Sequence, residues 1–300
     1  MQSCNLCPRH CKAQRIQEAG VCGELNVIRI ARASLHMWEE PPISGERGSG
    51  TVFFTGCPLH CVFCQNHNIA DGTNGVPVAV DELSRIFLKL EEMGAHNINL
   101  VTATHFVPGV VDALKAAKAS GLNIPVVYNS SGYESVETLK MLDGLVDIYL
   151  PDFKYVSGKI AGKYSSAPDY FEVASEAIAE MFSQVGTPVF DEDGMLKKGV
   201  VVRHLILPGC VDDSKAVIDY LFGIYGDDIY ISIMNQYTPL SAQLSRYPEL
   251  DRMLTDDEYD AVVDFAVDLG ITNAFVQEGA AAAESFIPDF EHWDLAEFLK

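Results

Sequence analysis

Basic residues are scarce in this chain of 300 residues: 21 Lys and Arg stand against 42 Asp and Glu, a net charge of −21. Such a field repels a polyanion, so DNA and RNA are excluded as expected partners. A solvated acidic surface that aids solubility accounts for the excess. No apolar run is long enough to span a bilayer, so no membrane association is expected. The start, Met1-Gln2-Ser3-Cys4, lacks the basic and apolar regions of a secretory leader, which makes a cytoplasmic location the expectation. Internal repeats and low-complexity tracts are also missing.

Cysteine is what the chain has in excess. Of eight, four lie between Cys4 and Cys22, three between Cys57 and Cys64, and Cys210 stands alone. A reducing compartment argues against a disulfide framework and for metal or redox sites. Cys210 reads as a small buried hydrophobe. Cys57, Cys61 and Cys64 form C-x₃-C-x₂-C directly after a β-branched and aromatic run, Thr51–Thr55. Three closely spaced thiolates suit three irons of a 4Fe-4S cubane. The missing fourth ligand leaves one iron open, as a catalytic metal centre requires. Cys4-x₂-Cys7-x₃-Cys11-x₁₀-Cys22 supplies four thiolates in a segment too short for a core of its own. A metal would organise it, and the spacing leaves zinc and a second iron–sulfur cluster both open.

Short apolar runs recur at Thr51–Thr55, Ile98–Val101, Val126–Asn129, Ile148–Leu150, Val200–Leu207 and Ile229–Met234. They read as buried parallel strands. Helical spacing lies between them: Leu83, Ile86, Phe87, Leu90 and Met93 share one face, residues 108–119 open on Pro108, and Thr255 with Glu258 makes a capping box. Alternating elements predict an α/β fold with a parallel sheet, an open partial barrel of about six β/α units. The division expected is a cysteine-rich, metal-binding head and linker over residues 1–48 and the barrel with a C-terminal extension over 49–300. Residues 39–50, rich in Pro, Gly and Ser, read as a linker or tight loop. Residues 157–170 and 188–199 read as long polar loops. Functional residues are expected at the strand C-termini.

The C-x₃-C-x₂-C motif with Phe63 before its third cysteine resembles the signature of the radical S-adenosylmethionine superfamily. Thr51-Val-Phe-Phe-Thr-Gly-Cys57 and Cys64-Gln-Asn look like the pyruvate formate-lyase activating enzyme branch. Cys4-Asn-Leu-Cys-Pro-Arg-His-Cys and Trp38-Glu-Glu-Pro-Pro-Ile-Ser-Gly resemble its PflX-type subgroup. The resemblance covers essentially the whole chain. It implies S-adenosyl-L-methionine chelated at the open iron, and reductive cleavage to a 5′-deoxyadenosyl radical that abstracts hydrogen from a substrate.

The same resemblance assigns cofactor-binding roles. Phe63 lies against the adenine. Thr102-Ala-Thr104-His105 stands where many members have Gly-Gly-Glu, so Thr104, His105 and the backbone near Thr102 supply acceptors for the methionine amino group. Asn129 and Ser130 occupy the place of Asp-Thr. Pro151-Asp152-Phe153-Lys154 resembles Leu-Asp-Leu-Lys, and Asp152 with Ser130 inherits a monovalent-cation site, Asn129 replacing an acid. Arg203, in Arg-His-Leu-Ile-Leu-Pro-Gly, is the expected anchor of the methionine carboxylate, since guanidinium pairs with carboxylates bidentately. Asn235 caps the ribose or the substrate.

The implied activity is that of an oxidoreductase-type activating enzyme that takes hydrogen from a glycine of a protein loop. Its partners would be a reductant such as flavodoxin or ferredoxin and a protein or peptide substrate. Radical modification of another peptide or of a small molecule, or a non-enzymatic electron carrier, are the alternatives. An open iron suits ligand binding better than simple electron relay.

Overall fold

The computed structural model describes residues 3–240, 242–277, 288, 290 and 293–300. Its strands are β1 (Arg29–His36), β2 (Ser49–Phe54), β3 (Val76–Pro77), β4 (Ile98–Val101), β5 (Val126–Ser130), β6 (Ile148–Pro151), β7 (Val189–Phe190), β8 (Leu196–Leu205), β9 (Tyr230–Met234) and β10 (Ala274–Val276). They form one open sheet in the order β10-β9-β8-β6-β5-β4-β2-β1-β3, with β7 hung on β8. From β2 to β10 each pairing along that path is parallel. The six expected strands are all present, and β10 adds a short parallel neighbour to β9. This is an unclosed partial barrel.

Each strand alternates between two environments, as a pleated strand with two covered faces must. Val52, Leu100, Tyr128, Tyr149 and Val202 face outward into the main core. They pack under crossover helices such as Val80–Glu92, which buries Leu83, Ile86, Phe87 and Leu90, and Val107–Ala119. Both match the helical spacing of the sequence, except that Met93 caps the first helix and is exposed. The capping box is also present: Thr255 accepts from the Glu258 N–H, and Glu258 accepts from that of Thr255. Cys210 is partly buried against the same core.

The inner face is built in two layers. Val127, Leu150 and Val201 form an apolar layer with Ile43. Two residues further along the same strands stand Asn129, Asp152 and Arg203. The pleat therefore carries the polar set to the C-terminal mouth of the barrel.

Four expectations change here. Of the two readings of residues 39–50, the tight turn holds and the free linker does not. Pro41–Ser44 forms one helical turn whose Pro42, Ile43 and Ser44 are buried, and the Ile43 carbonyl accepts from the Asn97 side chain at 2.7 Å. Two prolines fix this turn and expose few N–H groups, so it can plug the open barrel. The sheet also begins before residue 49, because β1 pairs antiparallel with β2. Residues 157–170 hold a helix, Gly158–Ser165, capped by the Ser157 hydroxyl. Residues 188–199 form the β7–β8 hairpin, turned by Asp191, which accepts from the N–H groups of Asp193 and Met195.

Candidate active site at the mouth of the barrel

The loop after β2 carries the three-cysteine motif. The Leu59 N–H approaches Cys57 Sγ at 3.4 Å, and the Ser165 hydroxyl donates to Cys61 Sγ at 3.1 Å. Burial raises all three thiols, Cys61 to about 11 and Cys64 to about 12. As thiols they are protonated; a metal that binds them must displace those protons.

Two adjoining cavities open over the loop. One, of about 250 Å³, is bounded by Cys57, Cys61, Cys64, Thr102, Ser130 and Lys154 among others. The second, of about 230 Å³, continues from Cys61 and Cys64 past Phe63 and Phe53 to Trp38, Met234 and Gln236. Asn129, Asp152, Lys154 and Arg203 border both.

Those four residues belong to one network. Lys154 Nζ lies 2.6 Å from Asp152 Oδ2, and Arg203 Nε lies 3.0 Å from Asp152 Oδ1. Arg203 also donates to Glu39 Oε2 at 3.1 Å and to Asn129 Oδ1 at 2.6 Å. Glu39 Oε1 accepts from Asn99 at 2.9 Å and from Asn129 at 3.3 Å. Burial works against charge on Asp152, but Lys154 and Arg203 hold it below the usual carboxylate range. The Lys154 ammonium is likewise penalised by burial, and Asp152 keeps it above the ordinary lysine range. Burial raises Glu39 against the pull of Arg203.

The structure brings together Phe63, Thr102, Asn129, Ser130, Asp152, Lys154 and Arg203 from the set the sequence proposed. Phe63 is buried and lies 6.3 Å from the Tyr237 ring. Thr104 and His105 are buried away from both cavities. Thr104 donates to Glu134 at 2.6 Å, and burial raises that carboxyl to about 7. His105 Nε2 meets the Thr55 carbonyl at 2.7 Å. Its backbone carbonyl, not its ring, holds the head, because Arg15 donates to that carbonyl. The Asn235 N–H donates to the Gln277 side-chain oxygen at 3.0 Å, and Asn235 borders neither cavity; its neighbours Met234 and Gln236 border the second. All three Arg203 nitrogens have protein partners, so the guanidinium braces the mouth. Both Asp152 oxygens are held by protein cations where the resemblance implied a bound monovalent one. Glu39 is the residue left out of the expected site set; with Trp38 and Glu40 it reads from the sequence as joining head to barrel. Its signal was the Glu-Glu before Pro-Pro, acidic residues that have no reason to precede a buried turn unless they are paired.

The head lies against this site. Arg9 donates to the carbonyls of Pro58, at 2.7 Å, and Ser165, at 2.9 Å, and Thr138 donates to that of Leu6 at 2.8 Å. Burial pushes the Cys7 thiol up to about 12 and raises that of Cys22 as well, and neighbouring thiols add to both shifts. Cys11 and Cys22 flank Gly20, where a Cβ would lie 3.4 Å from both sulfurs. The thiols do not meet on one point: among the described residues, no three His, Cys, Asp or Glu side chains gather as ligands of a single ion. A cubane needs thiolates apart, each on its own iron. The donor set of the barrel loop fits such a cluster with one iron free.

Residues 51–220, more than half of the chain, match the Radical SAM superfamily. The chain belongs to that superfamily, whose enzymes use a 4Fe-4S cluster and S-adenosylmethionine for radical chemistry. It is 29% identical over 272 residues to Uncharacterized protein MJ0674 of Methanocaldococcus jannaschii, covering 88% of this chain and 74% of that one. The fold is similar to SuiB of Streptococcus suis bound to S-adenosylmethionine, with a TM-score of 0.51, 13% identity and 75% of this chain covered. Another SuiB structure gives 0.50 at 12% identity over 78% of the chain. This chain spans 49% of the length of each. At that identity the likeness is one of fold. No described helix is long and apolar enough to cross a membrane.

Proposed function

We propose that this enzyme abstracts a hydrogen atom from a polypeptide, and that a glycine in a protein loop is its target, as in activation of a glycyl radical enzyme. The observation that carries the reading is the pair of adjoining cavities. The one over Cys57, Cys61 and Cys64, with Lys154 on its wall, suits a small zwitterion beside a metal cluster. The other leads outward past Trp38, which is 55% exposed, over Phe53, Leu205 and Met234. An extended loop can enter there with its backbone against Gln65 and Gln236.

The cluster and cofactor, when bound, supply the radical that takes the hydrogen. The protein's own residues do the rest. Lys154 offers a cation to the methionine carboxylate while Asp152 fixes its ammonium. Arg203, Glu39 and Asn129 hold that pair in place, and Lys154 with Arg203 supplies the positive charge beside Asp152. Phe63, backed by the Tyr237 ring, walls the second cavity and excludes water. A one-electron donor of the flavodoxin or ferredoxin class would supply the electron.

Anaerobically reconstituted protein should cleave S-adenosylmethionine under reduction, and Cys61→Ala should not. With a glycine-deuterated candidate partner, deuterium should enter 5′-deoxyadenosine and a glycyl signal should appear by electron paramagnetic resonance. Cleavage with deuterium transfer only from other positions or from small molecules would overturn the glycyl reading and leave the superfamily membership intact.

A further inference from the structure

The two cysteine sets are joined back to back. Cys57, the first thiol of the barrel loop, donates its backbone N–H to the carbonyl of Cys22, the last thiol of the head, at 3.1 Å. Gly56 makes this approach possible. Its φ is +76°, and a Cβ there would stand 2.5 Å from the Cys22 carbonyl oxygen, so any other residue would push the head off the loop. One turn on, the His60 ring meets the Val21 carbonyl at 2.6 Å. Arg9 adds its bonds to Pro58 and Leu59. The head is thus clamped to the backbone of the cysteine loop rather than to the barrel wall alone.

We infer that the head holds a second iron–sulfur cluster, and that this cluster passes electrons to the one at Cys57, Cys61 and Cys64. The inference rests on the superfamily's cluster at those three residues and on no substrate. Cys4, Cys7, Cys11 and Cys22 would supply one thiolate to each iron of a cubane and leave none open, which suits an electron carrier. Zinc would also accept four thiolates, but zinc has no redox chemistry and gains nothing from a place beside the loop. The bonded path is short: Cys22 side chain, its carbonyl, the hydrogen bond, the Cys57 N–H and the Cys57 side chain. Electron transfer falls steeply with distance and is fastest along such bonded routes. Cys61 and Cys64 border both cavities, so a cofactor and substrate there would cover a barrel cluster on that side, whereas the head is bonded to the backbone of the loop. In the relay, a low-potential one-electron donor protein reduces the head cluster by one electron. The head cluster then returns to its oxidised state as it reduces the barrel cluster by that same electron. No bond is made or broken and no proton need move.

The test uses full-length, anaerobically reconstituted protein. Cys57→Ala/Cys61→Ala/Cys64→Ala removes the barrel ligands and leaves the head whole. It should retain about four irons per chain and give a reduced-cluster signal by electron paramagnetic resonance with dithionite. Adding Cys4→Ala/Cys7→Ala should abolish both. Zinc in place of iron, or no metal, in the first variant would overturn the proposal. In the wild type, the two reduced clusters should broaden each other's signals relative to the sum of the two variants; simple addition would place them too far apart for the relay. For function, S-adenosylmethionine cleavage is compared with reduced flavodoxin-type donor and with dithionite, which can reach the barrel cluster directly. Cys4→Ala/Cys7→Ala should slow the donor-driven rate at least tenfold more than the dithionite-driven one. Cys11→Ser, which keeps an oxygen ligand, should shift the ratio in the same direction. Equal losses with both reductants would mean that the head is structural.

Discussion

Arg203 shows how a residue read correctly by position can act differently from its expected role. The sequence placed it at a strand end beside Asp152 and Asn129, and the structure keeps it there. What the sequence conveyed only as an acidic pair before Pro-Pro is Glu39, which lies 164 positions away and is brought in by the Pro-Pro turn. The guanidinium has a protein acceptor on each of its three nitrogens: Asp152, Glu39 and Asn129. Removing one partner of a buried ion pair typically costs about 3–5 kcal/mol, because the other charge is left without compensation. Arg203→Met should therefore destabilise the protein by about that much and weaken cofactor binding through a displaced Lys154. Arg203→Met with Glu39→Gln should recover part of the stability, since neither charge is then orphaned. Urea unfolding of the two single variants and the double variant would measure the coupling, and strict additivity would show that the pair does not interact. Thr104 and His105 were legible only as polar residues after a strand. Which way each side chain turns depends on Glu134 and Thr55, and no local pattern announces those.

At the scale of elements, the parallel strands and the helices over 80–92 and 107–119 were legible because each carries its own period. The plug was not. Composition made residues 39–50 look like a linker, since Pro and Gly break regular structure wherever they occur. Only the inner-face positions of β5, β6 and β8 show why an apolar Ile43 is needed between them. An open barrel does not close its own interior, and without Ile43 the side chains of Val127, Leu150 and Val201 would face a void. Ile43 is fully buried, and truncation of such a residue to Ala costs about 2–5 kcal/mol. Ile43→Ala should lower the unfolding midpoint accordingly and loosen Glu39 above it, so that affinity for S-adenosylmethionine also falls. Ile43→Val should cost about 0.5–1.5 kcal/mol and leave binding nearly unchanged. If Ile43→Ala left both stability and affinity at wild-type values, the turn would be a surface linker after all.

Across the whole molecule, the acidic balance suggests a protein that gains stability as its carboxylates are protonated, and the buried histidines point the other way. Burial holds His36 and His204 down to about 4 and His105 to about 3. His204 Nδ1 bonds the Phe153 carbonyl at 2.7 Å, and its ring is sealed between β8 and the core, so the neutral form is the folded one. A histidine whose folded pKa is depressed contributes stability that is fully present above its unfolded value, about 6.5. That stability is lost as pH falls toward the folded value, because only the unfolded chain takes up the proton. Each pKa unit corresponds to about 1.4 kcal/mol, so His204 alone accounts for a loss of roughly 3 kcal/mol between pH 6.5 and 4. Glu134, raised to about 7, works in the opposite sense: its carboxyl favours folding when protonated and opposes it as pH rises from about 4.3 to 7. Its effect is common to wild type and variant and cancels in their difference. His204→Gln keeps a side-chain donor for the Phe153 carbonyl and removes the titration. Urea unfolding at pH 7.5, 6.0 and 5.0 should show wild-type stability falling more steeply toward acid than that of His204→Gln, with the gap opening below pH 6.5. Parallel pH profiles would mean that the ring is protonated, or reached by water, in the folded protein.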